Sequence, residues 1–139
     1  MKTTQRIITV LITMVIAIFF ITGNSFAQAK KAWDIPAAAK SVKSPVNLKD
    51  AGVVNNGKDL WAKHCKSCHG GKGLGDGPKA ASLKTNPGDF TAAAFQGQSD
   101  GDIFFETSKG RDEMPSYEKK IPEANDRWAL VAYMRTLKK

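Results

Sequence analysis

Two cysteines separated by two residues, with a histidine directly after the second, constrain this chain more than any other feature: Cys65-Lys66-Ser67-Cys68-His69. These are the only 2 cysteines in 139 residues. A disulfide across so short a span closes a very small loop and restricts the unfolded chain little. The pair therefore reads as chemical rather than structural. A thioredoxin-type pair belongs to alternating strands and helices, and no such alternation is present. A zinc site made of His64, Cys65, Cys68 and His69 would crowd two adjacent pairs of ligands, unlike ordinary zinc spacings. A plain disulfide leaves His69 unexplained.

The C-x-x-C-H spacing suits covalent attachment of haem. Two thiols add across the two vinyl groups on one edge of the ring, and the following histidine lies beneath the iron. The expected cofactor is one covalent haem c per chain, with Cys65 and Cys68 as attachment points and His69 as an iron ligand. His64 precedes Cys65 on the thioether side and reads as a surface residue.

A second axial ligand has to come from further along. Excluding the N-terminal stretch, the methionines are Met114 and Met134. Met134 falls within a helical pattern beside Tyr133 and reads as core packing. Met114 lies in Gly110-Arg111-Asp112-Glu113-Met114-Pro115, a loop able to bring a soft thioether to the face opposite His69. Pro115 holds Met114 extended. The alternatives are a hydrophobic loop residue or an open sixth position.

Residues 1–27 have the three-part order of a secretory signal peptide. Lys2 and Arg6 open it, an apolar run follows from Ile7 to Ile21 broken only by Thr9 and Thr13, and small residues end it. Cleavage is expected after Ala27, with Ala29 as a second site. An uncleaved anchor is the alternative, but a spanning helix needs about 20 apolar residues. Export to the periplasm or beyond follows. Removing this stretch takes away two basic residues and no acid, so the net charge falls from +8 to +6. The basic residues are dispersed rather than clustered. Export and dispersal argue against nucleic acid. Redox proteins with acidic docking surfaces are the expected partners, with membrane contact only through redox complexes or an uncleaved signal.

Residues 28–54 read as a linker or N-terminal extension interrupted by Pro36 and Pro45. Trp33 and Ile35 either dock on the following domain or ride on a disordered tether. The compact domain spans 55–139. Its first helix is expected from Asn55 or Asn56 to Cys65. A second runs from about Asp100 to Ser108 and stops at Gly110. A third starts near Pro122, with Trp128, Leu130, Val131, Met134 and Leu137 as its buried stripe. No strand pattern is convincing.

On these residues the chain resembles the bacterial class I cytochromes c, in their small monohaem periplasmic branch. Gly57, Trp61 and Cys65 match that family's approach to the haem motif, Met114-Pro115 its ligand loop, and Leu130 and Tyr133 its last helix. The resemblance covers about Gly57 to Leu137. It implies an all-α cytochrome c fold, three or more helices around one covalently bound haem. It implies close packing of Gly57 against the segment from Trp128 to Tyr133. Gly75-Asp76-Gly77-Pro78 resembles the loop whose proline carbonyl accepts a hydrogen bond from the haem histidine, which makes Pro78 a candidate site residue. The implied function is one-electron transfer rather than catalysis, with Lys63, Lys66, Lys72 and Lys79 near the exposed haem edge. Two other functions stand beside it: a haem-bearing subunit of a larger oxidase or dehydrogenase complex, and a five-coordinate gas-binding or peroxidatic haem protein.

Overall fold

The computed structural model describes residues 32–139; the expected signal segment, residues 1–27, lies outside them. Six helices follow in chain order: α1 (Ala37–Lys40), α2 (Ala51–His64), α3 (Lys66–His69), α4 (Ala93–Gln96), α5 (Asp100–Lys109) and α6 (Ala124–Thr136). A 3-10 turn, Ala80–Ser82, lies between α3 and α4. The only β pairing among the described residues is the isolated bridge Arg111–Met114. The fold is all-α. None of the described helices is long and apolar enough to cross a membrane.

Helix α2 starts at Ala51, ahead of Asn55. The reason is Asp50, whose Oδ1 accepts from the Gly52 and Val53 N–H groups at 2.9 and 3.0 Å. Those donors have no partner within the helix, so an acidic cap there stabilises the first turn by about 1 kcal/mol. Asn56 is left inside the helix, where its amide donates to Asp126 Oδ1 at 2.8 Å.

That bond ties α2 to the start of α6, and these two helices form the most extensive helix pair among the described residues. Gly57 makes the approach possible. A Cβ at this position would lie 1.9 Å from the Ala129 carbonyl oxygen and 3.0 Å from Tyr133 Cβ. Trp61, Ile103, Leu130 and Val131 are fully buried beside the crossing. Trp128 stacks on Phe104 of α5 at 4.1 Å and 10°.

Helix α5 is bounded as the sequence suggests. Ser99 and Asp102 form a capping box with bonds of 3.0 and 3.1 Å. Gly110, at φ 63°, ends it. Helix α6 begins at Ala124, after Pro122. The preceding turn is held by buried Arg127, whose guanidinium donates to the Ile121 and Pro122 carbonyls at 2.5 and 2.9 Å and to Ser108 Oγ at 3.1 Å. Arg135 donates to Asp100 Oδ1 and to the Gln96 and Gln98 carbonyls at 2.7, 2.9 and 2.7 Å, joining α6 to the turn between α4 and α5.

The described part of the N-terminal segment packs on this body. Helix α1 lies against α5 where Gly101 leaves room: a Cβ there would meet the Ala39 carbonyl at 2.3 Å. Ser99 Oγ donates to the Lys40 carbonyl at 3.1 Å. Val46 and Leu48 pack against the core.

Candidate functional site

The cysteine–histidine motif occupies the single turn α3 and the residue before it. Cys65 ends α2, its N–H bonded to the Trp61 carbonyl at 2.9 Å, and the Cys65 carbonyl accepts from Cys68 and His69 at 3.1 and 3.0 Å. Positions i, i+3 and i+4 of a helix share a face, so Cys65, Cys68 and His69 all line one cavity. The glycine-rich loop after the turn satisfies its remaining carbonyls. Gly75, Gly77 and Lys79 donate to the carbonyls of His69, Cys68 and Ser67 at 2.9, 3.2 and 2.9 Å. A Cβ on Gly77 would meet the Ser67 carbonyl at 2.4 Å. Pro78 sits exposed between these anchors, away from the cavity lining, whereas Pro87 lines it.

Aromatic rings frame His69. Phe90 lies 4.6 Å and Trp61 5.7 Å from the imidazole, centroid to centroid. Phe95 stacks on Phe90 at 4.2 Å and 7°. Trp61 Nε1 donates to the Gly70 carbonyl at 3.0 Å, fixing the indole against the end of α3. The Phe90 N–H donates to the Gly73 carbonyl at 2.7 Å. The Gln96 amide donates to the Phe90 and Met134 carbonyls at 2.7 and 3.0 Å, joining this wall to α6. Sequence reasoning overlooked Phe90, Phe95 and Gln96. They lie in irregular chain and one short turn, where no periodicity marks a buried face.

Met114 lines the cavity from a tight turn. Arg111 and Met114 exchange backbone bonds of 2.9 and 2.8 Å. Asp112 adopts φ 48°, and a Cβ on Gly110 would meet the Met114 carbonyl at 2.4 Å. Glu113 Oε2 accepts from the Lys84 and Thr85 N–H groups at 2.8 and 3.3 Å, joining the turn to the segment carrying Leu83 and Thr85, which also line the cavity. Met134 reaches the cavity too, from α6, and is only 3 % exposed. Both candidate thioethers therefore face the same space.

The cavity holds about 560 Å³ and is mainly apolar. Its polar features include Gln98, which donates to buried Glu106 at 3.0 Å, and Tyr117, whose hydroxyl donates to the His64 carbonyl at 2.8 Å. Contrary to its reading as a surface residue, His64 is half-buried and lines the cavity, with its ring 6.0 Å from that of Tyr117. Burial, followed by the charges of nearby Lys63 and Lys120, lowers the His64 pKa. Burial, followed by the neighbouring Cys68, pushes the Cys65 thiol up to about 12. An activated redox thiol has the opposite shift. Cys65 and Cys68 are not bridged, and no metal-binding group of three or more His, Cys, Asp and Glu residues occurs among the described residues.

A family model described as cytochrome C oxidase, cbb3-type, subunit III matches residues 52–134. No curated protein matches the chain. Among solved structures, a chain of the Kuenenia stuttgartiensis reducing HAO-like protein complex Kustc0457/Kustc0458 is 27% identical with a TM-score of 0.60. The match covers 70% of this chain and 51% of that one, so the present chain spans about half the length of that relative. The KustC0563 c-type cytochrome is 30% identical with a TM-score of 0.53, over 60% of this chain and 98% of its own.

Proposed function

This chain belongs to the cytochrome c family described by the cbb3-type oxidase subunit III model, and on that premise we propose that it is an exported one-electron carrier in which His69 and Met114 would hold the haem iron. Carrying electrons through covalently bound haem c is the family's property. When bound, the haem supplies a couple that cycles between ferrous and ferric iron.

The residues present fit such a group. A cavity of about 560 Å³ has Cys65, Cys68 and His69 together on one wall and is otherwise mainly apolar, within the usual range for cofactor sites. That juxtaposition carries the reading. Cys65 and Cys68 would hold the ring edge, and His69 would ligate the iron. Phe90 and Trp61 limit rotation of the imidazole. Met134 shares the Gln96-bridged wall with Phe90, beside His69, which favours Met114 over Met134 as the second residue that would hold the iron. Gly77-Pro78-Lys79 supports the rear of α3, and the cavity position of Pro87 makes it a better candidate than Pro78 for orienting His69. In this reading residues 1–27 are the signal segment and the extension follows it, but the haem domain starts with α2 at Ala51 rather than at residue 55.

Exposed Lys63, Lys66, Lys72 and Lys79 surround the motif in sequence and suit an acidic redox partner. A second reading, a haem-bearing subunit of a larger assembly, is favoured by the matched chain's membership in a protein complex. Acidified organic solvent tests the first claim: haem should stay with the denatured polypeptide, and its extraction would refute thioether attachment. Purification from the native periplasm, under conditions that preserve complexes, separates a free carrier from a fixed subunit.

A further inference from the structure

Arg111 faces two ways. Its backbone closes the Met114 turn, with bonds of 2.9 and 2.8 Å to Met114. Its side chain leaves that turn and grips the N-terminal segment: Nη1 donates to the Ala32 carbonyl at 3.0 Å, and Cζ lies 4.2 Å above the Trp33 ring. Neither ion pair among the described residues involves Arg111. Ala32, Trp33, Arg111 and Met114 all line the same cavity.

The N-terminal segment has its own anchor. Helix α1 seats on Gly101, and the Lys40 carbonyl accepts from Ser99 at 3.1 Å. A continuous path thus runs from α5 through α1 to Trp33, across to Arg111 and into the Met114 turn. The N-terminal segment thus touches the residue whose backbone closes the Met114 turn.

We propose that Trp33 and the Ala32 carbonyl form a brace that holds Arg111, and with it the Met114 turn, closed over the cavity. Trp33 and Arg111 are positioning residues in this scheme. It rests on the reading that Met114 supplies the distal ligand. An added ligand reaches ferric iron only when the Met114 thioether has left, so its apparent binding scales with the open fraction of the turn. Loosening the brace raises that fraction while leaving α2, α3 and the attachment residues untouched.

Cyanide binding to the ferric haem-loaded protein tests this. Trp33→Ala and Arg111→Gln should each speed binding roughly 5- to 30-fold, the range for one to two kcal/mol. The double variant should be no faster than the faster single, because both break one connection. Trp33→Phe keeps an aromatic face and should stay near wild type. Trp33→Leu keeps apolar bulk, guards against a folding failure of the alanine variant, and should behave like Trp33→Ala. Unchanged rates in Trp33→Ala or Trp33→Leu, or multiplying effects in the double variant, would overturn the brace. Met114→Ala is the control for the underlying reading. If its Met–Fe(III) charge-transfer band persists, the ligand assignment fails and the brace with it. If the band is lost there while the Trp33 variants bind cyanide at the wild-type rate, only the brace fails.

Discussion

Gly57 and Ala129 meet backbone to backbone: a methyl group on Gly57 would stand 1.9 Å from the Ala129 carbonyl oxygen and 2.6 Å from its carbon. The obstacle is main chain within α6, which cannot rotate aside as a side chain would. Gly57→Ala therefore has to separate α2 from α6. The cost should reach or exceed the roughly 1–3 kcal/mol typical of overpacking, despite alanine's better helix propensity. Denaturant unfolding of the haem-loaded protein measures it. An unchanged midpoint would show that the crossing is looser than this geometry.

The attachment residues make a separate claim. Cys65→Ala combined with Cys68→Ala should abolish stable holoprotein, because Trp61, Phe90 and their neighbours are left around a space of about 560 Å³ that they cannot fill themselves. Expression alongside the maturation machinery, followed by visible spectroscopy of the purified protein, reads the outcome. A double variant that retains its haem through purification would show that thioether bonds are dispensable.

Buried Arg127 should matter more than a surface arginine. It is 8 % exposed and joins α5 to the turn before α6 through Ser108, Ile121 and Pro122. Arg127→Leu keeps bulk but strands these acceptors, at about 1–3 kcal/mol for each one left buried without a donor. A loss within the usual range for an exposed position, measured by thermal unfolding, would mean that water or a backbone shift replaces the guanidinium.

Arg127 also shows where sequence reasoning stops. A charged residue in an amphipathic pattern reads as solvated, and nothing local announces three partners on two other segments. Elements specified by neighbours along the chain were legible. The helical turn gathering Cys65, Cys68 and His69, the glycine stop at Gly110 and the stripe of α6 all follow from spacing. Gly57 was legible through resemblance rather than pattern. The start of α2 was misjudged because Asn55 and Asn56 are equally good caps on paper, while Asp50 stands where its carboxylate meets two free N–H groups. Phe90, Phe95 and the grip of Trp33 on Arg111 depend on chain segments meeting across long separations, and irregular backbone carries no period from which to infer a buried side.

Tyr117 provides a test of the buried cavity edge. Burial first, then the neighbouring cysteines, pushes its phenol up to about 12. Its folded pKa is thus raised above the unfolded value, and the neutral form is the one the fold favours. The associated stability is complete below the ordinary tyrosine range and declines as pH rises through that range toward about 12. Once both sulfurs are thioethers their share disappears and burial remains. Tyr117→Phe should flatten this alkaline decline relative to wild type, while losing about 0.5–1.5 kcal/mol at neutral pH with the bond to the His64 carbonyl. Denaturant midpoints of both proteins across the alkaline range check the sign; a steeper decline in the variant would reverse it.

Two thioethers line the cavity, and exchanging each for alanine separates their roles. Met114 belongs to a turn closed by Arg111 and tied through Glu113 to the chain at Lys84 and Thr85. His69 lies against Phe90, ring to ring at 4.6 Å. Met134 is 3 % exposed, belongs to the helix that packs on α2, and shares the Gln96 bridge with Phe90. A thioether favours ferrous over ferric iron and raises the potential. Met114→Ala should therefore keep covalent haem, lower the reduction potential, lose the charge-transfer band and bind carbon monoxide or cyanide more readily. Met134→Ala should keep the band and lose about 2–5 kcal/mol of stability, as expected for truncating a buried methionine. Spectroelectrochemistry of the two variants, with unfolding curves beside it, reads both quantities. If the band survives in Met114→Ala and disappears in Met134→Ala, the distal ligand comes from α6, and the Met114 turn is a cover over the cavity rather than a donor to it.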